Sequence, residues 1–234
     1  MSEESSVGRL LGGAAAGLFL FAVLTYAFRS PDPTRQAATA LAIHFGTAAF
    51  LASLLPRLAA DEGRTGAFGR TVGDLCRGLL AYLLVLPGTT ALNALNRSLS
   101  GGPTELPEAL KVLAHGSPDP QFWLVLTTIL VAVPCFEEFF ARGLVQTGAA
   151  TVFRDRFGTR IAVAMAVVFA SLVFTALHDP SSYLPVFALS LVLGAIAART
   201  GGTAAAVGFH AAHNAYAVAY ERWLKAWLVS AGPF

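Results

Sequence analysis

The sequence predicts an all-α fold, a multi-pass transmembrane bundle of seven to eight helices. Three observations predict it. The 234-residue chain is 55% hydrophobic, with a mean hydropathy of +0.62. Only 13% of its residues are charged, about half the ~25% of a soluble domain, so the apolar surface needs lipid to cover it. Uncharged runs of about the length that crosses ~30 Å of hydrocarbon recur at 10–28, 36–56, 78–96, 161–177, 180–198 and 200–220. No linker or internal repeat separates them, so residues 1–234 read as a single integral membrane domain.

In chain order, the run from Leu10 to Phe28 exceeds a signal-peptide core and no A-x-A pattern follows it, so it reads as a retained first span. Asp74 and Arg77, three apart at the entrance of the third span, read as a local ion pair. Residues 103–118 are rich in Pro, Gly and charge and read as an extramembrane loop with a short surface helix. From Pro120 to Phe153 a straight helix would be ~51 Å long, too long for the bilayer, and Pro134 offers a kink. A turn near Phe157 and Gly158 would then fold 134–153 and 158–178 into a hairpin. The C-terminal "ERWLKAWLVSAGPF" reads as a short eighth span or an interfacial helix, because Trp223 and Trp227 beside Arg222 and Lys225 suit a membrane boundary.

Arg57, Arg64 and Arg70 crowd one loop and Arg154, Arg156 and Arg160 another, which places the N-terminus and both loops on the cytoplasmic side; Arg29, Arg35, Arg97 and Lys111 stay outside. The expected setting is the lipid bilayer, as a multi-pass protein of a bacterial cytoplasmic (inner) membrane. A net charge of +2 says little about partners, and no basic block suggests nucleic acid, so no nucleic-acid partner is expected. Cys76 and Cys135 lie in apolar stretches and read as buried thiols, and His44 and His115 as structural.

The chemistry begins at "VPCFEEFFARG", residues 133–143, where two carboxylates interrupt a membrane run. An ionisable group inside a span costs ~2.5–3.5 kcal/mol even on the gentler insertion scale, so it marks function by default. Glu138 and Arg142 are four apart, acid first, which favours a structural pair. Glu137 is rotated about 100° from Glu138 and has no cation three or four residues away. It is the carboxylate free for chemistry. His178 closes "VVFASLVFTALHDP", with Phe174 one turn earlier and Asp179-Pro180 ending the helix. Glu137 and His178 lie 20 and 21 residues from position 157, so the hairpin brings them to one depth. In "GFHAAHNAYA", His210 and Asn214 share a helix face and supply two hydrogen-bond donors able to hold an oxyanion, with His213 at its edge. Counted from Gly201-Gly202, His210 comes only to mid-bilayer, shallower than the Glu137–His178 pair.

The series Glu137-Glu138-x-x-x-Arg142, Phe174-x-x-x-His178 and His210-x-x-x-Asn214, with "ARTGGTAAAVGFHAAHNA" around the last, resembles the CPBP family. These are the CAAX prenyl proteases and bacteriocin-processing enzymes, also called Abi proteins or glutamic-type intramembrane proteases. The resemblance covers about residues 120–220, which would be the catalytic core. It departs at Ala141, where the family usually has Phe; here Phe139 and Phe140 precede it. The resemblance implies that Glu137 and His178 activate a water, that His210 and Asn214 form an oxyanion hole, and that Glu138, Arg142 and Phe174 support the site. It implies a membrane-anchored or lipid-modified protein as substrate, cut near its C-terminus.

The residues themselves allow the same chemistry: a desolvated carboxylate is a stronger base than a hydrated one. No His-Glu-x-x-His, Gly-x-Ser-Gly or Gly-x-Gly-Asp occurs, and no cofactor is expected. Glu137, His178 and His210 could also make three ligands of an open divalent-metal site, the lesser alternative. A second reading is a non-catalytic transporter or bacteriocin-immunity protein that binds in the same polar cavity, since intramembrane acids and histidines also mark ion relays. With the Arg154–Arg160 turn cytoplasmic, the Glu137 and His178 end of the hairpin points to the outer half of the membrane.

Overall fold

A computed structural model describes residues 3–28, 30–59, 68–99 and 106–230; among them the chain is helical and forms no strand. The α-helices are α1 Glu3–Ala27, α2 Pro33–Ala59, α3 Phe68–Leu99, α4 Glu108–His115, α5 Pro120–Thr127, α6 Val133–Glu138, α7 Thr147–Ala176, α8 Tyr183–Thr200, α9 Ala204–Ala219 and α10 Lys225–Ser230. Widened π-helical turns, Thr128–Ala132, Phe139–Gln146 and Tyr220–Leu224, join α5 to α6, α6 to α7 and α9 to α10 end to end. The described residues thus build seven long rods and the short α4. Arg29 and Arg64, used above for orientation, lie outside the described residues.

The helix ends follow local rules. Asp32 Oδ1 accepts from the Thr34 and Arg35 amides at 2.8 and 3.1 Å ahead of α2, and Asp119 Oδ1 accepts from the Phe122 amide at 2.8 Å ahead of α5. In both cases a carboxylate followed by proline satisfies amides that open a helix. α8 stops at Gly201, φ 70°, the left-handed cap that glycine adopts without Cβ strain.

α7 is two arms. Gly158 sits at φ 72°, ψ 163°, a conformation almost confined to glycine, and breaks the helix. The Phe153 and Phe169 rings stand 6.3 Å apart, and the Arg142 guanidinium lies 5.5 Å from the Phe174 ring centroid. These pairs span 16 and 32 residues of sequence and meet only if the chain reverses at the turn the sequence predicts. The stretch Pro120–Ala176, too long for one span, therefore crosses as a hairpin. By length and hydropathy it joins Thr71–Leu99 and Pro180–Thr200 as candidate membrane spans among the described residues. Leu84, 84% exposed, and Leu80, 59% exposed, show what α3 turns outward: side chains suited to lipid.

Two packings hold the site's helices. Phe136, Phe140, Leu144, Ala141 and Phe174 form one buried cluster with Leu51 of α2. α3 and α9 cross at Gly78 and Gly208; a Cβ on Gly78 would strike the Ala205 carbonyl, and one on Gly208 the Leu75 carbonyl. Small residues allow such backbone contact, the usual basis of helix association where the hydrophobic effect is absent.

Three expectations change. The C-terminal segment is no separate span but the continuation of α9 through the Tyr220–Leu224 π-turn into α10. Arg222 holds it to α4, donating to the Leu113 and Gly116 carbonyls at 2.7 and 3.1 Å and lying 4.9 Å over the Phe122 ring. Cys76 is exposed, because α3 turns that face to the outside; it and Cys135 are free thiols. The depth of His210 is the third, and it is resolved at the site.

Candidate active site

The site forms where α6, the second arm of α7, α8 and α9 meet. Glu138 is fully buried and receives two donors. Arg142 Nε lies 3.1 Å from Oε2, and His210 Nδ1 lies 2.9 Å from Oε1. Arg142 Nη2 also donates to Ser190 Oγ at 2.7 Å. Three helices are thereby linked through one carboxylate, with charge-assisted bonds of the stronger kind. Because a carboxylate only accepts, the proton on His210 Nδ1 points to Glu138 and leaves Nε2 facing the other way.

What Nε2 faces is Glu137, whose Oε2 stands 3.8 Å from it with 25% of the side chain accessible. That separation exceeds a direct hydrogen bond, and no hydrogen bond to the Glu137 carboxylate occurs among the described residues. His178 follows Phe174 by one turn. Its Nδ1 lies 2.8 Å from the Phe174 carbonyl, which can only accept, so Nδ1 carries a proton and Nε2 is the nitrogen turned away from that bond. Its ring is 4.5 Å from that of Phe174, which in turn meets the His210 ring edge-on at 6.4 Å. Both His178 and His210 act electrostatically on Glu137. Phe174 thus stands between the two imidazoles and presents its face to Arg142.

Asn214 lies one turn beyond His210 and donates from Nδ2 to the Ile129 carbonyl at 2.9 Å. His213 is turned away toward Tyr82, with ring centroids 5.6 Å apart. It lines a cavity of about 190 Å³ between α3, α8 and α9 with Thr89, Asn93 and Ser182. His44 is wedged between Phe21 and Phe136 and bonded to the Ala40 carbonyl at 2.7 Å, a packing position. Ser190, the Ile129 carbonyl and the Glu138–His210 bond escaped the sequence reading. A serine in an apolar run and a backbone oxygen carry no local signal of what they will meet.

The apparent mismatch in depth has a geometric cause. Glu138 is twenty residues from Gly158, whereas His210 is only nine from Gly201. They touch because the hairpin tip stands beyond the α8–α9 turn, so equal counts from the two turns do not mean equal heights. Gln146 Nε2, donating to the Gly194 carbonyl at 3.0 Å, shows a smaller offset of the same sense, twelve residues from one turn against seven from the other. Arg154, Arg156 and Arg160 on that projecting tip are accordingly exposed. Counting from turns assumes that all turns lie at one level, and these do not.

Residues 119–216 match the family model described as type II CAAX prenyl endopeptidase Rce1-like. The likeness covers this segment, 98 of the 234 residues. No curated protein and no solved structure matches the chain. The Rce1-like segment opens at Asp119, which caps α5, and closes at Tyr216 on α9. It contains Glu137, Glu138, Arg142, Phe174, His178, His210 and Asn214. Helices α1 to α4 fall outside it, and α3 contributes to the site as the wall behind α9. Among the described residues no group of three His, Cys, Asp or Glu side chains converges as a metal site.

Proposed function

We propose that the chain is an intramembrane endopeptidase of the CAAX prenyl endopeptidase type, hydrolysing a peptide bond near the membrane-embedded or lipid-modified C-terminus of a protein substrate. The observation that carries the reading is Glu137: a partly accessible carboxylate without a hydrogen-bond partner among the described residues, 3.8 Å from one imidazole and within electrostatic reach of a second. Carboxylates held for structure are bonded, as Glu138 is; one left open beside two imidazoles suits proton transfer.

In this reading a water in the open space gives a hydrogen bond to His178 Nε2 and its other proton to Glu137. Its oxygen bonds to the scissile carbonyl carbon, and the carbonyl oxygen takes the negative charge. His210 Nε2–H and the Asn214 carboxamide would receive that oxyanion. With Nδ1–H committed to Glu138, His210 donates from Nε2 as the doubly protonated ring, held between two carboxylates. Collapse of the adduct breaks the C–N bond, and the proton on Glu137 passes to the leaving amine. Glu138 and Arg142 support the site by fixing His210 and Phe174.

The test compares protein C-termini by proteomics in cells carrying the wild type or Glu137→Gln. A glutamine keeps the shape but cannot take the proton, so a C-terminus trimmed with the wild type should stay whole. The same trimming in both strains removes the hydrolytic reading. For the membrane side, the expectation is an outward site opposite a cytoplasmic hairpin tip. Single cysteines at 157 and 181, in a chain lacking Cys76 and Cys135, should then label from opposite faces; labelling of 181 from the cytoplasm reverses the assignment.

A further inference from the structure

We infer that Pro134, three residues before the acid pair and with no reacting group of its own, is a positioning residue that sets the direction of the Asn214 carboxamide. In the π-turn Thr128–Ala132 the Val133 amide reaches back five residues to the Thr128 carbonyl. The next carbonyl, Ile129, would take the amide of residue 134 in that register, and proline has none. An unpaired carbonyl inside a bundle is costly. It is met from another helix: Asn214 Nδ2 donates to the Ile129 oxygen at 2.9 Å.

That bond is directional in a useful way. A carbonyl oxygen accepts and never donates, so it can face only the NH2 end of the carboxamide. Asn214 is thereby prevented from flipping, and its second N–H and its oxygen are held at fixed angles one helical turn from His210. The widened turn serves twice, since it also accommodates the pyrrolidine ring, which in a regular helix would clash with the carbonyl four residues back.

The inference rests on the proposed function for its kinetic arm and is independent of it for its spectroscopic arm. Ile129-Leu130 is the single Ile-Leu pair in the sequence. Protein labelled with 13C at isoleucine carbonyls and 15N at leucine amides therefore gives one carbonyl–amide correlation. Asn214→Ala should move its carbonyl shift. Adding Pro134→Ala, which supplies a backbone N–H, should move it back toward the wild-type value. An unmoved shift in Asn214→Ala overturns the inference whether or not the protein is an enzyme.

In the cleavage assay Pro134→Ala should lower kcat by about tenfold with KM held, a fraction of the ~10²–10³ lost with an entire oxyanion donor. The double variant Pro134→Ala/Asn214→Ala should be no slower than Asn214→Ala alone, because both changes disable one device. A merely structural proline predicts additive losses and a raised KM, and either result counts against positioning. Should Glu137→Gln cleave as well as the wild type while the carbonyl shift behaves as stated, the enzyme reading fails and the orienting bond stands.

Discussion

Glu137 and Glu138 are adjacent in the chain and have opposite surroundings. Glu138 has no exposed surface and is bonded to Arg142 and His210, while Arg142 passes the connection on to Ser190. Glu137 keeps a quarter of its side chain accessible, has no hydrogen bond among the described residues, and stands 3.8 Å from the other edge of the same histidine. One turn of 100° separates the two outcomes. A helix in a bundle has a face packed on its neighbours and a face left partly open, and a pair of consecutive acids samples both. The buried member stabilises an arrangement that the open member can use. His210 belongs to both regions, one nitrogen for each.

That contrast yields predictions that can break it. The largest effect belongs to Glu137→Gln, which should reduce cleavage by ~10²–10⁴, the range of positioned general acid–base groups. Its thermal stability in detergent should match the wild type, and a lowered melting temperature would instead show Glu137 to be structural. Arg142→Ala comes next, with the effects reversed. It strands Glu138 without its cation, and breaking a buried pair costs ~3–5 kcal/mol. The expected readout is a loss of folded protein by size-exclusion chromatography, and a stable, well-folded Arg142→Ala would contradict the buried network. Gly208→Val tests the wall behind α9: forcing a side chain against the Leu75 carbonyl should cost ~1–3 kcal/mol and lower the melting temperature. Smallest is Asp74→Ala. The Asp74–Arg77 pair, 2.7 Å long, has 74% of the arginine side chain exposed, and exposed pairs contribute ~1 kcal/mol or less, so little change in stability is expected.

How far the site could be read in advance differs residue by residue. The Glu138–Arg142 pair follows from a spacing of four on one helix, and the structure places Nε against Oε2 as that spacing requires. The reversal at Gly158 follows from a glycine between two apolar arms of matching length. The Phe174–His178 stack is again a spacing of four. The Ser190 hydroxyl on Arg142, the Ile129 carbonyl under Asn214 and the Glu138–His210 bond join segments 48 to 85 residues apart. No local rule reaches that far. The misjudged depth of His210 has the same origin, because the projection of the hairpin past its neighbours is a property of how rods are stacked.

The amino-acid sequence alone determined the class of the fold, the positions of most helices and the sharing of a face by His210 and Asn214. Those are consequences of hydropathy and of the 3.6-residue period, both of which act within a few residues. Only the tertiary structure decided which of two neighbouring acids is bonded and which is open, which partner meets Nδ1 of each histidine, and at what height α9 meets the hairpin. These depend on partners brought by other helices, and in a bundle the register between rods is set by packing at places such as Gly78, Gly208 and Gly194, not by the distance along the chain to the nearest turn.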